Sequence, residues 1–217
     1  MSEMTSPSFQ AEGSILLPAK KSTDYSTKCY SGLIRSPQLS PAELRCYLTI
    51  LTFRNCKEIF VKQQTIADKM GAGLRSVSRH IAVLSDIGLL KKISRPGYTS
   101  LLSVLDYREL CDIKGINPEN GFVFALNDII TSDKLTDNEL RFYLTIKSLA
   151  GYDNITPSME QLSRYCNLSK PTMRSVRDST ANKGLVKYEA RGNVVDGLLP
   201  HQYYISDEEQ WLLDQSK

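Results

Sequence analysis

The sequence predicts a mainly α fold with small β-hairpins, an α+β protein built twice to one plan. Three observations predict it. Apolar residues recur at helical spacing in successive segments between residues 39 and 92. A Pro-Gly hairpin signal follows them, and the pattern returns after a shift of 96 residues.

The first helix opens at Ser40-Pro41-Ala42-Glu43. This is a capping box with proline in the first helical position: the serine side chain accepts from the Glu43 amide while the Glu43 carboxylate reaches back. Leu44, Tyr47, Leu48 and Leu51 continue it as an apolar stripe. Glu58 to Val61 reads as a short strand. Gln64 to Met70 gives a second helix, with Ile66, Ala67 and Met70 inward. It stops at Gly71, a residue that tolerates the left-handed conformation after a helix end.

The third helix lies within Ala72 to Lys92 and carries Val77, Ile81 and Leu84 at i, i+4 and i+7. Arg75, Ser76, Ser78, Arg79 and His80 fall on its remaining faces. Leu89 to Ile93 and Leu101 to Leu105 then read as strands, joined across Ser94-Arg95-Pro96-Gly97-Tyr98. Proline followed by glycine suits the two central positions of a type II turn. Helix, strand, helix, helix and hairpin together make a winged helix, with Arg95 and Tyr98 near the wing tip.

The segment GLRSVSRHIAVLSDIGLL, preceded by TIADKMGA, resembles the recognition segment of winged helix-turn-helix proteins. It is most similar to the modules of plasmid and phage replication proteins and of many bacterial regulators. The resemblance implies double-stranded DNA as the partner, with this helix in the major groove. The implied contacts are Arg75, Ser76, Ser78, Arg79 and His80 on the helix, and Lys62 and Lys69 on the helix before it. Lys91, Lys92, Arg95 and Tyr98 extend them toward the wing.

The shift of 96 residues places LSPAELRCYLTI (39–50) on LTDNELRFYLTI (135–146), and eight of the twelve positions are identical. Thr136 and Glu139 repeat the capping box, Asn167 takes the place of Gly71, and Gly184-Leu185 that of Gly88-Leu89. Two tandem winged helices follow. The organisation expected is a flexible tail over 1–28, a first domain over 29–107, a connector over 108–121, a second domain over 122–205 and a short acidic helix over 206–217. Ser206 and Glu209 suggest a third capping box for that helix. Arg45 and its repeat Arg141 are expected on the surface or in ion pairs.

The second copy departs at its third helix, SKPTMRSVRDSTANK, where Thr180 replaces Leu84 and Asp178 brings in an acid. Lys170, Thr172, Arg174, Ser175, Arg177 and Arg191 form a second candidate DNA surface, with protein contact as its competitor.

The net charge of +3 hides an asymmetry. Residues 1–115 hold 16 Lys+Arg against 10 Asp+Glu, or +6, whereas residues 116–217 hold 11 against 14, or −3. An anionic partner is therefore drawn mainly to the first half. No signal-like or membrane-length apolar run is present, so a cytoplasmic location is expected. Cys29, Cys46, Cys56, Cys111 and Cys166 are scattered, without a C-x-x-C pair, and His80 and His201 flank none of them. Neither a metal site nor a disulfide framework is expected; Cys46 and Cys166 read as small buried thiols.

No Walker loop, nucleophile elbow or His-Glu-x-x-His occurs, and the eleven tyrosines lack the histidine cluster of nicking enzymes. The expectation is a DNA-binding protein that is not an enzyme and needs no cofactor. A replication initiator or accessory protein is preferred, on the resemblance. A transcriptional repressor or partition adaptor is the alternative within DNA binding. An interaction module whose winged helices serve as docking surfaces is the alternative of another class. A homodimer and a protein partner, through the second domain or the C-terminal helix, complete the expected partners.

Overall fold

The computed structural model describes residues 25–54, 58–93, 95, 101–105, 109–110, 113, 121–150, 156–190 and 201–215. The first copy consists of β1 (Ser26–Tyr30), α1 (Ser31–Ile34), α2 (Pro41–Leu51), β2 (Glu58–Ile59), α3 (Gln63–Met70), α4 (Leu74–Asp86), β3 (Leu90–Ile93) and β4 (Leu101–Val104). The second consists of β5 (Phe122–Leu126), α5 (Asn127–Ile130), α6 (Asp137–Ala150), α7 (Met159–Cys166), α8 (Lys170–Asn182), β6 (Val186–Ala190) and β7 (His201–Ile205). A last helix, α9 (Glu208–Gln215), follows. Adding 96 to the bounds of β1, α1, α3 and α4 gives those of β5, α5, α7 and α8.

Local chemistry sets these boundaries. Ser40 caps α2, with the Glu43 amide donating to its Oγ at 3.3 Å and the Ser40 amide donating to the Glu43 carboxylate at 2.8 Å. The same box recurs at Thr136 and Glu139. Gly71 ends α3 at φ 62°, and Asn167 ends α7 at φ 55°. A short polar side chain is the next tolerated substitute for glycine there, so the tight turn survives in both copies.

Sheet pairing closes each wing. The first is a three-stranded sheet in the order β2-β4-β3, with Leu90 opposite Val104 and Lys92 opposite Leu102. The second is a hairpin of β6 and β7 with Tyr188 opposite Tyr203. Of the wing loops only Arg95 is described, so Tyr98 and Arg191 lie outside the described residues.

One element departs from the expected tail. Residues 26–28 belong to β1, which pairs antiparallel with β5, Ser26 opposite Leu126 and Lys28 opposite Phe124. The rest of the expected tail, residues 1–24, lies outside the described residues. Pairing along this ribbon gives the backbone groups of residues 26–30 partners that a free tail would lack.

The two copies share one apolar core. A single cluster runs from Leu44, Tyr47 and Leu48 of α2 through Phe142, Tyr143 and Leu144 of α6 to Met173 of α8. Arg45 and Arg141 are only 4 % and 0 % exposed, so they are not surface residues, although Arg45 does pair with Asp137 at 3.0 Å. They lie in the contact between the copies and donate to backbone carbonyls across it.

Helix α9 docks on the second copy. Trp211 is buried and its Nε1 donates to the Lys183 carbonyl at 2.7 Å. Glu208 accepts from Tyr143 and Lys147 of α6. The expected Ser206–Glu209 capping box does not form. Asp207 caps instead, accepting from the Gln210 amide at 2.9 Å, while the Ser206 hydroxyl donates to the Gly184 carbonyl.

Candidate nucleic-acid interface

Helix α4 sorts its residues by face. Val77, Ile81 and Leu84 are at most 1 % exposed and seat the helix on α2 and α3. Burying three such side chains contributes roughly 1.5–3 kcal/mol each. Arg75, Ser76, Ser78 and Arg79 all lie on the exposed side. Arg75 and Arg79, four residues apart, occupy successive turns of one strip.

His80 is a correction. It is 8 % exposed and sits with the core-facing residues of α4, not on the outer strip. Position 80 follows Val77 by three residues, so helical periodicity itself carries it toward the interior.

The other basic residues named from the sequence stand on neighbouring elements of the first copy. Lys62 is the residue before α3 and is exposed. Gln63, at the start of α3, accepts from the Ser78 hydroxyl at 2.5 Å and so ties the two helices of the turn together. Lys69, in the last turn of α3, lies 4.9 Å above the Phe53 ring. Lys91 and Lys92 are exposed on β3, with Lys91 3.7 Å from Glu109. Arg95 stacks its guanidinium 5.0 Å above Phe60, a ring that is 60 % exposed.

Two of these residues escaped sequence reasoning. Phe60 and Gln63 do not stand out by residue type. In the strand EIFV, however, Ile59 points inward, and the two-residue alternation of a strand marks Phe60 as its outward neighbour. An exposed aromatic ring there is a platform for Arg95.

Helix α8 offers a second strip. Lys170, Thr172, Arg174 and Ser175 are exposed, with Lys170 3.4 Å from Glu160. Ser169 caps the helix, accepting from the Thr172 amide. Arg177 does not join this strip. Its guanidinium pairs with Asp178 at 2.7 Å and lies 4.4 Å from the Tyr188 ring, and the Tyr188 hydroxyl donates to Asp178. Shifted back by 96, position 177 is Ile81, a core position. That is why the arginine turns inward. Burial works against its charge, but the Asp178 carboxylate outweighs it and raises the guanidinium pKa.

The buried thiols offer no nucleophile. Burial pushes Cys29 and Cys46 up to about 12 and Cys166 to about 11, far from the thiolate form at neutral pH. Among the described residues no group of three or more His, Cys, Asp or Glu is placed to hold a metal ion. No described helix is long and apolar enough to cross a membrane.

A family model described as a helix-turn-helix domain matches residues 133–186. The match spans α6 to the start of β6, and so falls on the copy whose third helix departs from the expected pattern. No curated protein sequence matches. Among solved structures, the chain is similar to one described as the crystal structure of Pi initiator protein in complex with iteron DNA. The TM-score is 0.54 at 11% identity, covering 85% of this chain and 98% of that one. The chain therefore shares the α+β fold of that structure along most of its length, and residues 133–186 carry a helix-turn-helix domain.

Proposed function

We propose that this chain is a sequence-specific double-stranded DNA-binding protein that sets α4 and α8 into the major groove. Its preferred role is that of a replication initiator or accessory protein acting at repeated sites. One observation carries the reading. The third helix of each copy buries a narrow apolar strip and leaves basic and hydroxyl side chains exposed beside its N-terminus. Guanidinium groups there suit guanine edges, hydroxyls suit phosphates or bases, and the outlying lysines suit the backbone. The helix-turn-helix match on residues 133–186 supports the second copy as a contact in its own right. The likeness to an initiator solved with iteron DNA supports the replication role over repression or partition.

A selection of bound sequences from a random duplex pool, with the full chain, tests this. The expected result is an enriched motif. Enrichment of none at low salt would leave the docking-module reading in its place. The replication role has its own test: a plasmid whose origin carries the selected motif should depend on this chain for maintenance. Unchanged maintenance without the chain would favour the repressor or partition role.

A further inference from the structure

The contact between the copies is reciprocal, residue for residue. In β1 and β5, Lys28 faces Phe124, its own counterpart 96 positions on, so the ribbon pairs symmetrically about that point. Arg45 donates to the carbonyls of Leu135 (2.7 Å) and Ser132, and Arg141 donates to those of Leu39 and Ser36 (2.5 Å). Leu39 and Leu135 are counterparts, and so are Ser36 and Ser132. This is the signature of an isologous, two-fold contact, here formed inside one chain. Departures from symmetry add bonds in one direction: Arg45 also reaches the Ile130 carbonyl at 3.1 Å and Asp137 at 3.0 Å.

Taking the DNA-binding reading above as its basis, we propose that Arg45 and Arg141 are positioning residues. They touch no DNA, but they fix the separation and rotation of α4 relative to α8, and so the spacing of the two half-elements of a site. Both guanidiniums run from a helix of one copy to the loop between the short helix and capping box of the other. Each planar fork spans two carbonyls at once, so neither copy can slide or turn without breaking bonds at both ends. The helices they leave, α2 and α6, are the ones on which α4 and α8 are seated. The lock is therefore one element removed from each reading surface.

The test compares wild type with the Arg45→Met/Arg141→Met pair and with the Arg45→Lys/Arg141→Lys pair, each first checked for a cooperative thermal transition. Wild type should select two half-elements at one spacing. It should lose about tenfold or more in affinity, the worth of one good base contact, when the spacer changes by one or two base pairs. A folded variant pair should keep its affinity for each isolated half-element while selecting a spread of spacings. The lysine pair keeps charge but loses the fork, so it should behave like the methionine pair and serves where the latter does not fold. A folded variant with the same single spacing and the same loss overturns the lock. So does a wild type that reads a single half-element, although DNA binding then stands. A wild type that enriches nothing overturns the DNA-binding reading itself, and the lock with it.

Discussion

The two third helices, α4 and α8, occupy equivalent places and are held there by different forces. Helix α4 rests on an apolar seat: Leu84 is fully buried, with Val83 and Ile87 partly covered beside it. The counterparts in α8 and just after it are Thr180, Ser179 and Lys183. There the seat is polar. The Glu139 carboxylate, 3 % exposed, accepts from the Lys183 ammonium and the Ser179 hydroxyl at 2.6 Å each. Thr180 is buried but donates back to the Val176 carbonyl. At this end of the helix the second copy has replaced dispersion and burial with charge-assisted hydrogen bonds, while Met173 and Val176 keep the seat apolar nearer its start.

The sharpest way to break that contrast is Leu84→Ala. It leaves a cavity under α4 and should cost about 2–5 kcal/mol. Thr180→Ala at the equivalent place removes one helix-internal hydrogen bond and should cost only about 1 kcal/mol. Urea denaturation of the two variants measures both. Equal losses would mean that the two seats do not differ as described.

Lys183→Ala comes next, at about 1.5–3 kcal/mol for hydrogen bonds to a buried charge. Here the pH dependence carries the diagnosis. Burial pushes the Glu139 carboxyl upward, but the bonds from Lys183, Ser179 and Thr136 outweigh it and hold it below its ordinary 4.5. A depressed carboxylate contributes stability above the unfolded value, and that stability is lost as pH falls through the lower folded value. The gap between wild type and Lys183→Ala should therefore narrow as pH drops below about 4.5. A gap that stays constant into acid would assign the loss to packing.

The reading surfaces differ as well. Shifted by 96, Arg75 falls on Pro171 and Arg79 on Ser175, while Arg174 falls on Ser78 and Lys170 on Leu74. Guanidinium groups at different helical positions cannot address the same base pattern, so the selected site should be two unlike half-elements and not a perfect palindrome. Arg79→Ala should weaken binding by about 1–3 kcal/mol if it reads a guanine. The effect should appear in one half-element only, as titration against half-substituted duplexes would show. Loss on both halves would refute the separate assignment.

What could be read from sequence follows from what repeats at short range. Capping boxes, helical stripes and the turn at Gly71 or Asn167 are local, and they emerge from a few adjacent residue types. The ribbon of β1 and β5 is not. Residues 26–34 and 122–130 share only Ile34/Ile130 at the repeat spacing, and each strand finds its partner about a hundred residues away. The repeat spacing carried upstream makes Cys29 and Ala125 counterparts, two small side chains that are both buried although they do not face each other in the ribbon. Arg45 and Arg141 were legible as repeated residues and illegible as an interface, because an arginine in an apolar stripe gives no sign of which carbonyls await it. His80 and Arg177 stand on helix faces whose inward turn becomes visible only when the neighbouring core positions are counted.

The smallest effect separates the wings. Lys92 stands exposed on β3, whereas its counterpart Tyr188 leans on Arg177 and Asp178. If Lys92 meets a phosphate, Lys92→Ala should lower affinity alike on specific and unrelated duplexes. It should also reduce the slope of log affinity against log salt by about 1. Tyr188→Phe removes a hydroxyl already committed to Asp178, so the salt slope should be unchanged. The two slopes, measured on the same duplex across one salt series, decide the matter. A shift for Tyr188→Phe but none for Lys92→Ala would place the backbone contact on the second wing.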